Sequence, residues 1–244
     1  AIVEPPNRLA KLDDATHDIK RLRLEVATDE KLAFAAGQYA ALRFDGLPAR
    51  DFSMANRPDD PVLEFHIRAI AGGTASQYAA RRLKPGDRVR VDAPFGVSYL
   101  RQKHRGPILA LAGGSGLAPI KSIVEQALAA GMIQPIQLYF GVRDERDLYL
   151  EDHFAALANR HPNFRFVPVL SNPQAPTARR TGFLADALAA DCKNLDGSKV
   201  YLAGPPPMVE SCVAAARRLG ARRDDCHADA FYTEADRAKL TAAP

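Results

Sequence analysis

The chain has no tryptophan and only three cysteines, Cys192, Cys212 and Cys226, among its 244 residues. They lie far apart and form no C-x-x-C pair, which excludes a disulfide framework and a cysteine-based zinc site and points to a reducing cytoplasm. The six histidines, His17, His66, His104, His153, His161 and His227, are scattered, and no metal site is expected from them. No stretch approaches the roughly twenty consecutive apolar residues that a membrane helix requires. The N-terminus, with Glu4, Asn7, Arg8 and Lys11, lacks the apolar segment of a secretory signal. Aromatic residues make up only 7% of the chain and the net charge is a modest +4, so nothing supports a nucleic-acid partner.

Long uncharged runs are also scarce, which makes Ile108-Leu109-Ala110-Leu111-Ala112 conspicuous as a buried strand. It runs into Gly113-Gly114-Ser115-Gly116, and a helical pattern starts at Leu117 or Ala118, with Pro119 in its first turn, where a missing N–H costs little. A buried strand, a glycine turn and a helix N-terminus together form an anion site, because backbone N–H groups without helical partners point at the ligand. The spacing Gly114-x-Gly116-x-x-Pro119 fits a dinucleotide-binding loop except at its last position. The next strand, 135–141, ends in Gly141 where a ribose-reading acid is usual. Lys121-Ser122 follows Ile120 and not a glycine, which disfavours a nucleoside triphosphate loop.

The chain reads differently on the two sides of this loop. Before it, alternating segments at 19–26, 38–44, 63–68 and 88–92 are separated by turn signals such as Gly46-Leu47-Pro48 and Lys84-Pro85-Gly86-Asp87. Short strands punctuated in this way predict an antiparallel barrel or sandwich, with one helix from Thr74 to Leu83. Residues 1–17, opening with Pro5-Pro6, suit a linker or a strand entry. After the loop, predicted strands at 135–141, 164–170, 199–203 and 226–232 alternate with helices at 151–160, 183–190 and 208–219. That alternation predicts a doubly wound parallel sheet. The expected division is 1–103 for the barrel, 104–232 for the α/β half and 233–244 for a tail.

Three further stretches carry candidate chemistry. Arg50-Asp51-Phe52-Ser53 places a guanidinium, an aromatic face and a hydroxyl within four residues; on pattern alone an Arg–Asp pair on an ordinary strand explains it better. Gly72-Gly73-Thr74-Ala75-Ser76 reads either as a second phosphate cradle or as a plain helix start. Ala203-Gly204-Pro205-Pro206-Pro207-Met208 closes a strand and stiffens the turn into a helix.

In this order, the four motifs resemble the ferredoxin–NADP reductase superfamily, and within it the reductases of bacterial aromatic-ring oxygenases. The resemblance implies an FAD-binding barrel followed by a pyridine-nucleotide domain. It implies an enzyme that moves a hydride from NAD(P)H to FAD and then single electrons to an iron–sulfur acceptor. Arg50 would neutralise the FAD phosphates, with Asp51 beside it; Phe52 would pack on the flavin, and Ser53 would sit near flavin N5 as a hydrogen-bonding helper. His66, Ile67 and Arg68 would follow as the next flavin-lining strand, with Gly73, Thr74 and Ser76 at the FAD pyrophosphate. Gly113, Gly114, Ser115, Gly116 and Pro119 would hold the nicotinamide dinucleotide, Gly204, Pro205 and Met208 would lie under its nicotinamide end, and Arg143 would reach the adenosine. Phe231 or Tyr232 would cover the flavin ring.

The chain departs from the family pattern in two places. Many relatives carry Cys where this chain has Ala203, and NADPH-preferring relatives carry Ser-Arg where it has Ser171-Asn172, which favours NADH. A [2Fe–2S] domain needs four thiolates, more than this chain has. The cluster is therefore expected in an upstream domain absent from this chain or in a separate ferredoxin or oxygenase component. The basic stretch from Arg81 to Arg105 reads as a docking face for such a partner or as a solvated surface. The alternatives are a stand-alone ferredoxin or free-flavin reductase and a flavin- or nucleotide-sensing module without turnover.

Overall fold

The structure, a computed structural model, describes residues 2–26, 32–233 and 236. Six antiparallel strands form the first half: β1 (Ile2–Asp14), β2 (Ile19–Glu25), β3 (Tyr39–Arg43), β4 (Arg50–Ser53), β5 (Val62–Arg68) and β6 (Arg88–Phe95), in the order β4-β3-β6-β1-β2-β5. Met54, just past β4, bridges to Phe65 of β5, and the Ala55 N–H donates to the Glu64 carbonyl at 2.7 Å, so the sheet closes on itself. Period-two alternation sends Leu22, Leu24, Ala40, Leu42, Leu63, Phe65, Ile67, Val89 and Val91 inward, and α1 (Thr74–Arg81) packs Ala75 and Ala79 against the same core.

β1 is longer than residues 1–17 suggested. It runs thirteen residues through Pro5-Pro6, and its pairing with β6 shifts register between Val3 and Asn7. Proline has no N–H for a ladder, so a strand tolerates it where the ladder is already broken.

The second half holds β7 (Ile108–Gly113), α2 (Leu117–Ala129), β8 (Ile136–Val142), α3 (Glu151–Arg160), β9 (Phe164–Leu170), β10 (Arg180–Thr181), α4 (Leu184–Asp191), β11 (Lys199–Gly204), α5 (Pro206–Arg218) and β12 (Cys226–Ala230). All six strands are parallel, in the order β10-β9-β8-β7-β11-β12. Alternate residues split between two cores. Ile108, Ala110 and Ala112 of β7 pack with α2 and α3, whereas Leu109 and Leu111 pack with α4 and α5. Burial on both faces explains why β7 shows no alternation in sequence. Of the expected tail, only Thr233 and Asp236 are among the described residues.

The two halves are packed together. β5 turns Glu64, His66 and Arg68 away from the barrel core and towards the second sheet. Gly37, with φ +105°, lies so close to Ser98 and α2 that a Cβ there would stand 2.8 Å from Ile123 Cδ1.

Candidate functional site

β7 is buried along its length and delivers Gly113 to a 3-10 turn at Gly114–Gly116, from which α2 starts. Neither the turn nor the helix has a side-chain cap, so their first N–H groups remain available to an anion. Gly114 adopts φ +54°, a left-handed conformation natural to glycine. The other glycines answer to packing. A Cβ on Gly116 would stand 2.1 Å from the Ala203 carbonyl oxygen, and one on Gly113 would stand 2.4 Å from Met208 Sδ. Gly204, at φ +145°, lies against the backbone of Gly113 in turn. The ends of β7 and β11 thus meet backbone to backbone.

In front of the turn opens a cleft of about 220 Å³, lined on the α/β side by Gly113, Gly114, Arg143, Pro205 and Met208 and on the barrel side by Asp18 and Arg68. It sits at the carboxyl ends of the parallel strands, where open α/β sheets bind ligands. Arg68 Nε donates to Asp18 Oδ2 at 2.7 Å, which aims the guanidinium along the cleft past Gly114. Burial raises the Asp18 pKa, but hydrogen bonds from Arg68 and Thr16 outweigh it and leave the carboxyl below its usual range. Phe183, at the rim, is 69% exposed.

The second part of the site joins residues that are 176 positions apart. Ser53, at the end of β4, donates from Oγ to Asp229 Oδ2 at 3.2 Å. Asp229 lies near the end of β12, level with Ala203, and the Phe231 N–H donates to the Gly204 carbonyl at 2.9 Å. Burial lifts the Asp229 pKa, the Ser53 hydrogen bond opposes this, and the charge of Asp51 adds to the rise. Sequence reasoning missed Asp229, since only the packing of β12 against the barrel brings it to Ser53. A carboxyl with a raised folded pKa costs stability above that pKa and nothing below its unfolded value of about 3.9. Asp229→Asn is therefore expected to raise the melting temperature at pH 7 by about 2–4 °C, the shift that 1 kcal/mol gives in a chain of this size. The gain should vanish below about pH 4 in thermal scans.

The remaining candidates divide clearly. Arg50 Nη1 donates to the Ala49 carbonyl at 3.0 Å, Asp51 is exposed, and Phe52 packs at the barrel edge with its ring 6.4 Å from that of Phe44. Gly73 and Thr74 start α1 without a side-chain cap, while the Ser76 hydroxyl ties Gly73 to Ile70. Ser115 is half-buried in the turn, and Pro119 is buried in α2. His66 and Ile67 are in neither group. Ile67 faces into the barrel core, and His66 is buried between Glu64 and Tyr149, with Nε2 2.9 Å from Glu64 Oε1 and Nδ1 3.1 Å from the Tyr149 hydroxyl.

Two uncapped helix starts behind glycines, one in each half, fit two nucleotide cofactors, and a Cβ at Gly113 or Gly116 would close the second cradle. The family described as Oxidoreductase FAD-binding domain matches residues 6–99, and that described as Oxidoreductase NAD-binding domain matches residues 110–214. The ferredoxin–NAD(P)(+) reductase component of the naphthalene 1,2-dioxygenase/salicylate 5-hydroxylase systems of Ralstonia sp is 45% identical over 95% of this chain and 71% of its own length. The chain belongs to the ferredoxin–NADP reductase family. The corresponding naphthalene 1,2-dioxygenase component of Pseudomonas putida, another relative of this family member, is 41% identical over the same shares. Among solved structures, the Amycolatopsis cytochrome P450 reductase GcoB superposes with a TM-score of 0.87 at 39% identity, covering 93% of this chain and 69% of that one. This ferredoxin–NADP reductase family member is an NAD(P)H-dependent oxidoreductase, with FAD assigned to its barrel and NAD to its parallel sheet. Among the described residues, no helix is long and apolar enough to cross a membrane, and no group of three or more His, Cys, Asp or Glu side chains could hold a metal ion.

Proposed function

We propose that this reductase takes electrons from NADH and passes them singly to an iron–sulfur acceptor, as the reductase component of an aromatic-ring oxygenase system. The observation that carries this reading is the juxtaposition of the Gly113–Gly116 cleft with Arg68 and of Ser53 with Asp229, since it sets a coenzyme site against a flavin site. FAD, when bound, accepts a hydride and releases electrons one at a time; the protein's task is to hold, orient and shield. On the barrel, Arg50 and the start of α1 at Gly73, Thr74 and Ser76 would hold the FAD phosphates. Phe52 would pack on the ring system, and Ser53 would hydrogen-bond near N5, with its hydroxyl fixed by Asp229. Across the cleft, Gly113, Gly114, Ser115 and Gly116 would hold the coenzyme pyrophosphate, helped by Arg68 from the barrel. Gly204, Pro205 and Met208 would support the nicotinamide, Arg143 would meet the adenosine, and Phe231 would cover the flavin.

NADH is favoured because the arginines following β9 are engaged elsewhere. Arg179 pairs with Glu145 and Glu151, and Arg180 pairs with Asp191, so neither is free for a 2′-phosphate. The acceptor's cluster belongs to another domain or a partner, because this chain has three cysteines and all three are free thiols. Free thiols also support a cytoplasmic location, and the start of the parallel sheet at Ile108 supports a division of the chain between 103 and 104.

The test is spectroscopic. The purified chain loaded with FAD should be yellow, should bleach under anaerobic NADH faster than under NADPH, and should pass electrons to a [2Fe–2S] ferredoxin. A yellow protein that neither coenzyme bleaches would overturn the reading in favour of a sensing module. Arg50→Ala is expected to weaken FAD retention by about tenfold or more, the scale of a charge-assisted contact. Flavin occupancy after gel filtration checks this, and unchanged occupancy would remove Arg50 from the site.

A further inference from the structure

The second turn of α2 carries Lys121 and Ser122, whose side chains are both buried. Lys121 Nζ donates to the Ala55 carbonyl at 3.1 Å and to Glu125 Oε2 at 3.1 Å, with Glu64 Oε1 at 3.8 Å. Ser122 Oγ donates to the Asn56 carbonyl at 2.6 Å, and the Asn56 side-chain oxygen accepts the Glu64 N–H at 2.9 Å. Ala55 and Asn56 directly extend the segment that ends β4 at Ser53. Lys121 stands five residues beyond Gly116 along the helix, a rise of about 7 Å. One rigid helix therefore carries the glycine turn at its start and is fastened by its second turn to the segment that carries Ser53.

We propose that Lys121 and Ser122 are positioning residues that lock the glycine turn to the Ser53 segment and so fix the separation of the two cofactors. The inference rests on the assignment of the Gly113–Gly116 turn to the coenzyme and of Ser53 to the flavin. Domains within one chain move relative to each other by default unless their interface is large and apolar. Here Ile19, Ala36 and Leu100 share a buried apolar cluster with α2, and directional contacts are added to it. An ammonium with three donors meets a backbone carbonyl and two carboxylates, and a hydroxyl meets the next carbonyl along. A second line of contact reaches the turn itself: Glu64 holds His66, His66 holds the Tyr149 hydroxyl, and that hydroxyl lies 3.4 Å from the Gly114 carbonyl. Hydride transfer requires the reacting atoms to come within about 3–3.5 Å, so a loosened clamp slows the transfer without emptying either site.

The test uses the full chain loaded with FAD and three variants: Lys121→Met, Ser122→Ala and the conservative Lys121→Arg. Stopped-flow reduction by NADH gives the transfer rate, calorimetric titration with ADP-ribose gives binding at the turn, and amide exchange of residues 53–57 without coenzyme gives the tightness of the clamp. Ser122→Ala should slow reduction about fivefold, the effect of one hydrogen bond, and Lys121→Met up to about 10²-fold. Lys121→Arg should recover part of the loss. FAD occupancy and ADP-ribose affinity should stay within twofold of wild type, and exchange at 53–57 should quicken. If Lys121→Met does not fold, Ser122→Ala and Lys121→Arg decide the matter alone. Unchanged reduction rates, or rates that fall only in step with FAD or ADP-ribose binding, would overturn the clamp while leaving the site assignment intact. Wild-type protein that does not bind ADP-ribose would overturn the assignment itself, and the clamp with it.

Discussion

Gly116→Ala is expected to reduce NADH-driven flavin reduction by about 10²-fold while leaving FAD bound and reducible by dithionite. The added Cβ would meet the Ala203 carbonyl oxygen at 2.1 Å, its carbon at 2.4 Å and the Gly204 nitrogen at 2.7 Å, all of them backbone atoms. No rotamer relieves the clash; β11 and the turn must part. Overpacking of this kind costs about 1–3 kcal/mol in stability, but the larger effect falls on function. The turn is where uncapped N–H groups must converge on a pyrophosphate, and Gly204 and Pro205 move with the same strand end. Gly131→Ala is the informative control. Gly131 has a positive φ of +70°, which Gly116 at φ −60° does not, and nothing lies within 4 Å of a Cβ there, so Gly131→Ala carries backbone strain and no clash. If Gly116→Ala reduces its flavin at the rate of Gly131→Ala, close packing of the turn is not what the coenzyme site depends on.

The glycine turn shows how far the sequence can be read. A strand without charge, then three glycines and a helix start, dictated the local structure and its place at the end of a parallel strand. The glycines suggested room for a phosphate; the structure adds that Gly116 makes room for the end of β11 and Gly204 for the end of β7. The barrel strands were visible because one face of each is buried, whereas β1 was obscured by its prolines. β10, two residues long, has no period to detect. The interface was hidden for a different reason. Glu64, His66 and Arg68 alternate with barrel-core residues, and the resemblance puts His66 and Arg68 on a flavin-lining strand; the arrival of α2 and Tyr149 is what buries Glu64 and His66. Lys121-Ser122 stood out in sequence only for failing to make a triphosphate loop. Nothing in a single chain's pattern says that a lysine on a helix will bond a carbonyl 66 residues away. Ser53 was recognisable by its motif, but Asp229 depends on a contact between the two halves.

Glu64→Ala is expected to destabilise the whole protein by about 3–5 kcal/mol, the cost of removing one member of a buried charge cluster. The Glu64 carboxylate accepts from Arg23 Nε at 3.2 Å and from His66 Nε2 at 2.9 Å, and lies 3.8 Å from Lys121. Its loss leaves the buried His66 ring without its acceptor and leaves Arg23 and Lys121 with only Asp13 and Glu125 as opposite charges. Burial pushes the Glu64 pKa up, but the His66 hydrogen bond and the charges of Lys121 and Arg21 prevail and hold the carboxyl far below its usual range. That fixes the sign of the pH dependence. A carboxyl depressed by folding contributes its full stability above its unfolded pKa of about 4.3 and loses it as the pH falls towards the folded value. The wild type should therefore melt about 10 °C above Glu64→Ala at pH 7, at 2–4 °C per kcal/mol for a chain of this size. The gap should begin to close below about pH 4. His66 points the same way: burial lowers its pKa against the pull of Glu64, so removing the carboxylate leaves a more firmly neutral ring with an unanswered Nε2–H. Glu64→Gln, which keeps an acceptor for Nε2–H but no charge for Arg23 and Lys121, should fall between the two. A pH-independent gap would mean that the carboxylate fills space and that its charge stabilises nothing.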